Sequence, residues 1–400
     1  MYHIVFSADE SYIKYTAVLI TSIVFNTNKH QKMRNEKYYF HILSNFVSNK
    51  NRNKLLKLQN TLDKLFPCEI IIHIQNDNDF INFPNSGAAH SLKIPYYRLK
   101  LSLIFNKNIE KCLYLDSDML CMYDIRKIFT IDLHNKIAGV VGDLGSKKNK
   151  IKYIENNKKI IHRFDENYFN SGFLLINLKE WNKHNIEQKC EDLASKCYYI
   201  KAADQDLLNA VIKPQHQLKF DFSYNFSTVA FCYVICKDES KNRLNYTRSE
   251  FNIASKNPKI LHYGEKPWRF LKSYFDYNNK NINDHWWQIA ENTPIFNREL
   301  LKNKLKTNTH LLCAGLGQEL LKATLKFNLF KIYFLIKRTN DDSRYIYQAK
   351  KIQDNIFGVC CILGTAILYA RNSNKNFFSV YFKSLKIIYH FKKYANKSRA

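Results

Sequence analysis

Acidic side chains are scarce in this chain: 35 Asp and Glu face 62 Lys and Arg over 400 residues, a net charge of +27. So large a deficit calls for a polyanionic partner, whether nucleic acid, an anionic membrane or a phosphorylated substrate. Metal-ligand cysteine pairs are lacking too. The ten cysteines are scattered, with Cys232 and Cys236 separated by three residues and Cys360 and Cys361 adjacent, so no zinc motif emerges. No signal-peptide pattern opens the sequence, and the thiols are expected to be reduced in a cytoplasmic protein. The uncharged run Ile356 to Ala370 covers fifteen residues, short of the about twenty that span a bilayer. Helix-turn-helix, zinc-finger and RNA-binding signatures are missing, which sets nucleic acid aside as a partner.

What is present argues for a folded α/β chain. A hydrophobic content of 46%, with 28 Phe and 26 Tyr, excludes disorder. The length exceeds what one core usually fills, so a large α/β domain with an appendage, or two domains, is expected. Strand-like runs at Tyr2 to Ser7, Tyr38 to Leu43 and Glu69 to Ile74 alternate with helical segments at Tyr12 to Phe25 and Ser48 to Phe66. The second helix carries Leu55, Leu58, Leu62 and Leu65 on one stripe behind a Ser48 cap. This alternation predicts a mostly parallel, Rossmann-like sheet with helices on both faces and ligands beyond the strands' carboxyl ends. Further along, Asp77 to Ser91 reads as a loop, Pro95 to Phe105 as a helix bearing Arg98 and Lys100, and Ile137 to Val141 as a strand. Ser146 to Lys159 reads as an exposed loop or lid, Phe173 to Leu178 as a strand, and Ile186 to Cys197 and Gln205 to Ile212 as helices.

The organising stretch is Lys111 to Leu120, an apolar run ending in Asp116-Ser117-Asp118. If the backbone stays extended there, the two carboxylates share one side with Ser117 opposite. Like charges so placed raise one pKa unless a cation neutralises them, and hard divalent ions take such oxygen ligands. A solvated Asp-Ser-Asp turn is the alternative.

Six ordered blocks widen the picture: Phe6-Ser7-Ala8-Asp9-Glu10-Ser11-Tyr12, Tyr97-Arg98-Leu99-Lys100, the Asp116-Ser117-Asp118 run, Asn170-Ser171-Gly172 leading to Asn177, Ala203-Asp204-Gln205-Asp206, and His262-Tyr263-Gly264-Glu265-Lys266-Pro267-Trp268. In this order they resemble family 8 glycosyltransferases, especially the bacterial lipopolysaccharide galactosyl- and glucosyltransferases, over about residues 1–270. The resemblance implies a GT-A fold and retaining transfer of a hexose from a UDP-sugar with Mn²⁺ or Mg²⁺. It implies Asp116, Asp118 and His262 as metal ligands, and contacts to the nucleotide sugar from Ser7, Ala8, Asp9, Tyr12, Arg98, Ser117, Ser171, Gly264 and Lys266. Asp9 would accept from the uracil, Tyr12 would stack on it and Lys266 would reach the diphosphate. Asn170, Asp204 and Gln205 would surround the donor sugar as the catalytic group, with same-face transfer favoured because an amide is a poor nucleophile. Read alone, His262 is equally a core histidine and Lys266 a surface charge. Two departures stand out: Ser11 where the family commonly has Asn, and a short segment from His262 to Lys266.

The tail carries much of the charge excess, with 19 Lys and Arg against 4 Asp and Glu over residues 301–400. Phe378, Tyr381, Phe382, Leu385 and Ile388 recur at helical spacing on one side, and Lys383, Lys386, His390, Lys393 and Lys397 on another. Leu320 to Ile336 adds an apolar segment bearing Lys322, Lys326 and Lys331. The expected organisation is a catalytic domain over 1–270, a connecting segment over 271–318 and a basic amphipathic helical region over 319–400. That region would associate with an anionic membrane, or pack as a helical bundle. The combined expectation is an enzyme on the cytoplasmic face of the inner membrane that extends a lipid-linked oligosaccharide of lipopolysaccharide type. The alternatives are transfer to a protein glycan or capsule intermediate, and a non-catalytic sugar-nucleotide or anionic-lipid binder.

Overall fold

A computed structural model of the chain describes residues 1–28, 36–84, 93–105, 108–145, 149–230, 245–269, 276, 280–304, 309–337, 345, 354–373 and 377–397. Cys232 and Cys236 lie outside these residues, as do parts of the loops expected at Asp77 to Ser91 and Ser146 to Lys159. Two compact units divide the chain. The first comprises Met1–Phe226, Asn242–His262 and Thr293–Phe296; the second comprises Ser227–Lys241, Tyr263–Asn292 and Asn297–Ala400.

The first unit is built on a seven-stranded sheet. Its strands are β1 (Tyr2–Ser7), β2 (Tyr38–Ser44), β3 (Cys68–Ile74), β4 (Lys111–Leu115), β6 (Ala138–Gly142), β9 (Phe169–Asn177) and β11 (Gln217–Phe220), with β5 (Met119–Cys121), β7 (Lys150–Glu155), β8 (Lys158–Arg163) and β10 (Cys197–Tyr199) outside it. The order is β11-β6-β9-β4-β1-β2-β3. All neighbours are parallel except β9, which runs antiparallel to both β4 and β6. Helices α1 (Ile13–Phe25), α2 (Asn49–Leu62), α3 (Arg126–Phe129), α4 (Leu178–Lys183), α5 (Ile186–Lys196) and α6 (Ala203–Val211) fall between strands. Alternation along β4 sends Cys112 and Tyr114 into one core with Val140, Leu174, Trp181 and Leu207, supplied by β6, β9 and the helices after β9. Leu113 and Leu115, also fully buried, point to the other face.

Ser48 caps α2, its Oγ accepting from Asn51 N at 3.2 Å. Leu55, Leu58 and Leu62 are buried on that helix, whereas Leu65 lies beyond its end and is exposed. Two expectations need correction. Pro95 to Phe105 forms two short 3₁₀ turns, Ile94–Leu99 and Leu101–Leu103, rather than a helix. Its buried aromatic and apolar side chains are distributed all round, so no single stripe favours an α-helix. Lys150 to Arg163, read in part as a lid, is the antiparallel hairpin β7–β8, extended by β10 into a three-stranded sheet. Its turn residues Asn156 and Asn157 both adopt positive φ, at 49° and 58°, the conformation a two-residue hairpin turn requires.

The second unit is helical: Ile282–Asn292, Asn297–Lys304, Thr309–Leu325, Leu329–Lys337, Asp354–Ser373 and Phe377–Lys397. Residue 319, where the tail was expected to begin, lies inside Thr309–Leu325. That helix packs on Asp354–Ser373 with backbones almost touching: a Cβ built on Gly317 would collide with the Cys360 carbonyl, and one on Gly364 with the Cys313 carbonyl. The terminal helix buries Val380, Tyr381, Ser384, Ile387 and Ile388 and exposes Phe378, Phe382, Leu385 and Tyr389. The apolar residues expected on one side are thus shared between a packed stripe and a surface stripe. Among the described residues no helix is long and apolar enough to cross a membrane.

Candidate active site

The chain leaves β4 at Leu115 and turns through Asp116, Ser117 and Asp118 into β5. The Asp116 N–H donates to the Gly172 carbonyl of β9 (2.9 Å), and the Met119 N–H closes the turn on the Asp116 carbonyl (3.1 Å). A turn, not extended backbone, therefore brings the two carboxylates together. Ser117 is directed away and buried, donating to the Ser7 carbonyl and accepting from Thr16 Oγ1. The strand Ile260–His262 pairs antiparallel with β5, and the register sets His262 opposite Met119, next to Asp118. His262 Nε2 lies 3.3 Å from Asp118 Oδ1 and 3.9 Å from Asp116 Oδ2. Among the described residues these three form the one group whose ligand atoms all lie within 4.8 Å of one another.

Two carboxylate oxygens and an imidazole nitrogen suit a divalent ion of the Mg²⁺ or Mn²⁺ type, which takes oxygen-rich donor sets. Gly172 makes the space: a Cβ there would lie 2.6 Å from Asp116 Oδ2 and 2.9 Å from His262 Cε1. The donor set and the cradle both fit such an ion.

Arg98 ties this corner to the start of α6. Its Nη2 donates to Asp116 Oδ1 (2.8 Å), its Nη1 to the Ser171 carbonyl (2.5 Å), and its Nε pairs with Asp204 Oδ2 (3.1 Å), while the guanidinium lies 4.0 Å from the Tyr114 ring centre. Burial opposes its charge, and the facing Asp116 and Asp204 carboxylates more than offset this, holding its pKa above the ordinary value. Burial pushes Asp204 up to about 6, against the pull of Arg98 and with added repulsion from Asp116. Asp206 instead ties down the chain entering α6, its Oδ2 accepting from the N–H groups of Lys201 and Ala202. Ala203 between them adopts φ 41°, a left-handed conformation that costs an L-residue about 1–2 kcal/mol.

Beyond Asp204 a chain of amides continues. Gln205 Oε1 accepts from Ser171 N (3.1 Å) and Asn170 Nδ2 (3.0 Å), while its Nε2 donates to Asp143 Oδ2 (3.2 Å) and Tyr168 Oη (3.1 Å). Asp143 Oδ2 also accepts from Asn170 Nδ2, and Asn225 bridges Asn170 and His262. Asp143 and Asn225 were missed in the sequence. Asp143 carried a usable signal, since it ends an apolar run, Val140-Val141-Gly142, as Asp116 does.

The remaining expected residues make contacts of their own. Asp9 Oδ1 accepts from Ser11 Oγ (2.6 Å) and Tyr12 N (2.9 Å), and Tyr12 meets Tyr15 edge-on. Ser11 thus closes the turn that opens α1. Ala8 is buried and bonded to Leu43 of β2. Gly264 and Lys266 belong to the second unit, where Lys266 Nζ donates to the Tyr263 carbonyl (2.7 Å) and a Cβ on Gly264 would approach Val229 Cγ1 to 2.6 Å.

The profile of glycosyl transferase family 8 matches residues 3–272. A putative glycosyltransferase of Haemophilus influenzae is 34% identical over 212 residues, which are 53% of this chain and 59% of that protein. A lipopolysaccharide 1,2-glucosyltransferase of Escherichia coli is 26% identical over 339 residues, covering 82% of this chain and 91% of that one. Among solved structures, an active-site mutant of LgtC superposes with a TM-score of 0.54 at 23% identity, covering 72% of this chain and 95% of LgtC. The bifunctional glycosyltransferase WbbM does so at 0.57 and 21% identity, covering 76% of this chain and 52% of WbbM. At these identities the two structures establish the fold, a GT-A-type mixed sheet.

Proposed function

This chain belongs to glycosyl transferase family 8, and from that membership we propose that it moves a galactose or glucose from a UDP-sugar, with retention, onto a lipid-linked oligosaccharide of lipopolysaccharide type. The observation that carries this reading is the meeting of Asp116, Asp118 and His262 beside the pair Arg98–Asp204. Asp116, Asp118 and His262 would hold Mn²⁺ or Mg²⁺. A divalent ion bound there supplies Lewis-acid stabilisation of the charge that develops on a departing diphosphate. Asp9, Tyr12, Ser7 and Ala8 would receive the nucleotide at the carboxyl end of β1, with the buried Ser117 bracing that end through Ser7 and Thr16.

On the sugar side, Arg98 and Ser171 hold Asp204, whose carboxylate stabilises positive charge at the anomeric carbon. Gln205 is hydrogen-bonded at both amide atoms, which fits a positioning group better than a nucleophile. The reading is therefore same-face transfer, in which an oxygen of the leaving UDP accepts the proton of the attacking hydroxyl. Asp143, joined to both Asn170 and Gln205, orients that pair. Nuclear magnetic resonance of the product formed from an α-linked UDP-hexose tests this, with an α-glycosidic bond expected; a β-linked product would contradict it.

The second unit carries features that suit a membrane surface. Its helices Leu329–Lys337 and Phe377–Lys397 expose Phe330 (73%) and Phe382 (65%), together with Phe334 and Phe378, and the turn before the first exposes Phe327. Lys331, Lys383 and Lys386 are exposed on the same helices and Lys326 on that turn. Aromatic side chains among lysines suit the interface of an anionic bilayer, where each basic residue contributes about 1 kcal/mol. We place the protein at the cytoplasmic membrane face, meeting its lipid-linked acceptor there.

A further inference from the structure

We propose that Asn225 is a positioning residue that fixes the tautomer of His262 and the orientation of Asn170 with one amide group, so that the metal-binding and sugar-facing halves of the site are set together. The proposal rests on the reading of Asp116, Asp118 and His262 as metal ligands.

The Gly172 backbone N–H can only donate, and it lies 3.0 Å from Asn170 Oδ1, so that atom is the amide oxygen. Asn225 places a side-chain atom 2.8 Å from the same oxygen, which must then be the Nδ2 donor. Its other amide atom is consequently the oxygen, and it sits 2.9 Å from His262 Nδ1. An amide oxygen accepts only, so Nδ1 carries the proton of the neutral imidazole. The lone pair is left on Nε2, the atom that faces Asp118 and Asp116.

A second backbone donor makes the rest of the chain consistent. Ser171 N–H donates to Gln205 Oε1, so the Asn170 atom on that oxygen is Nδ2, as required if Asn170 Oδ1 faces Gly172 and Asn225. Two backbone N–H groups of β9 thus define every amide from His262 to Gln205. Asn225 is 3% exposed, at the end of a 3₁₀ turn that Asp221 opens by accepting from Ser223 N. A buried turn residue of this kind holds its side chain in one place. Partners outside a metal's ligand shell that orient a histidine typically change metal affinity 10- to 100-fold when removed.

The test uses the full chain and two substitutions that separate the bonds. Asn225→Ala removes both; Asn225→Asp keeps an acceptor for His262 Nδ1 and removes the donor to Asn170. Mn²⁺ affinity is read by electron paramagnetic resonance titration with UDP present, and the His262 tautomer from ¹⁵N shifts of histidine-labelled, metal-free protein, assigned with His262→Ala. The expected results are a ten-fold or greater loss of Mn²⁺ affinity and a mixed tautomer in Asn225→Ala, against near-native affinity and an Nδ1–H imidazole with lowered kcat in Asn225→Asp. Native affinity and tautomer in Asn225→Ala, with weakened binding in His262→Ala, would overturn the role of Asn225 alone. Unchanged Mn²⁺ affinity in His262→Ala would overturn the metal reading and this proposal with it. Equal loss of affinity in Asn225→Ala and Asn225→Asp would overturn it by showing that the acceptor is immaterial.

Discussion

Gly172 determines whether three side chains can converge. A methyl group there would press at once on Asp116 Oδ2, Asn170 Oδ1 and His262 Cε1, all within 2.9 Å. Asp116 cannot swing clear without cost, because its Oδ1 is held by Arg98 Nη2 and Tyr114 Oη. Gly172→Ala is therefore expected to lower Mn²⁺ affinity at least ten-fold, as loss of a metal-orienting partner does, although no ligand is changed. Electron paramagnetic resonance titration checks this, and native affinity would show that the cradle is loose. At this scale the sequence was readable where residues that meet in space also stand together in the chain, as Asp116 and Asp118 do, and Asn170 and Gly172. Asn225 was not readable, because its partners Asn170 and His262 lie 55 and 37 residues away and spacing carries no trace of such a bond.

Strands place chemistry by register, and β1, β2 and β3 place an unexpected file of imidazoles. His3 Nδ1 lies 3.1 Å from His41 Nε2, and His41 Nδ1 lies 3.0 Å from His73 Nε2, with the Phe105 ring edge-on to His3 and His41. Burial pushes His3 down to about 4 and His41 to about 3, and lowers His73 as well; neighbouring positive charge adds to the shift for His3 and His41. A histidine whose folded pKa lies below its unfolded value binds more protons when unfolded. Its contribution is thus complete above about 6.5 and is lost as pH falls toward the folded value. His41 alone should cost roughly 2 kcal/mol between pH 7 and 5, at ~1.4 kcal/mol per pH unit below its unfolded pKa. Thermal unfolding across that range is expected to show the loss, with a shallower dependence in His41→Phe; identical slopes would remove the file from the account. Element types held where one stripe was clear, as in α2, and where an apolar run had helical length, as in α1, which is buried on nearly every side. They failed at Pro95 to Phe105, which folds as two short 3₁₀ turns, and at β7–β8, whose charged faces hid a hairpin turn made by Asn156 and Asn157.

Across the whole molecule, composition and surface point the same way. The charge excess of residues 301–400 was legible as a count, but which apolar residues face outward was not, because helix packing took Tyr381 and Ile388 from the expected stripe. Substituting the exposed Phe330 and Phe382 together by Ser should leave thermal unfolding within a degree or two of native. Flotation with anionic vesicles should fall several-fold, and equal flotation would place any membrane contact elsewhere. The central claim is metal-dependent transfer from a UDP-sugar at Asp116, Asp118 and His262. Its most direct test is UDP release from UDP-galactose and UDP-glucose by metal-stripped protein, before and after Mn²⁺ is restored, in the native chain and in Asp118→Asn. Release is expected only with Mn²⁺, with a loss of at least about a hundred-fold in Asp118→Asn, the order seen when a charge-stabilising group is removed from an active site. Release by the stripped native protein, or near-native release by Asp118→Asn, would contradict it.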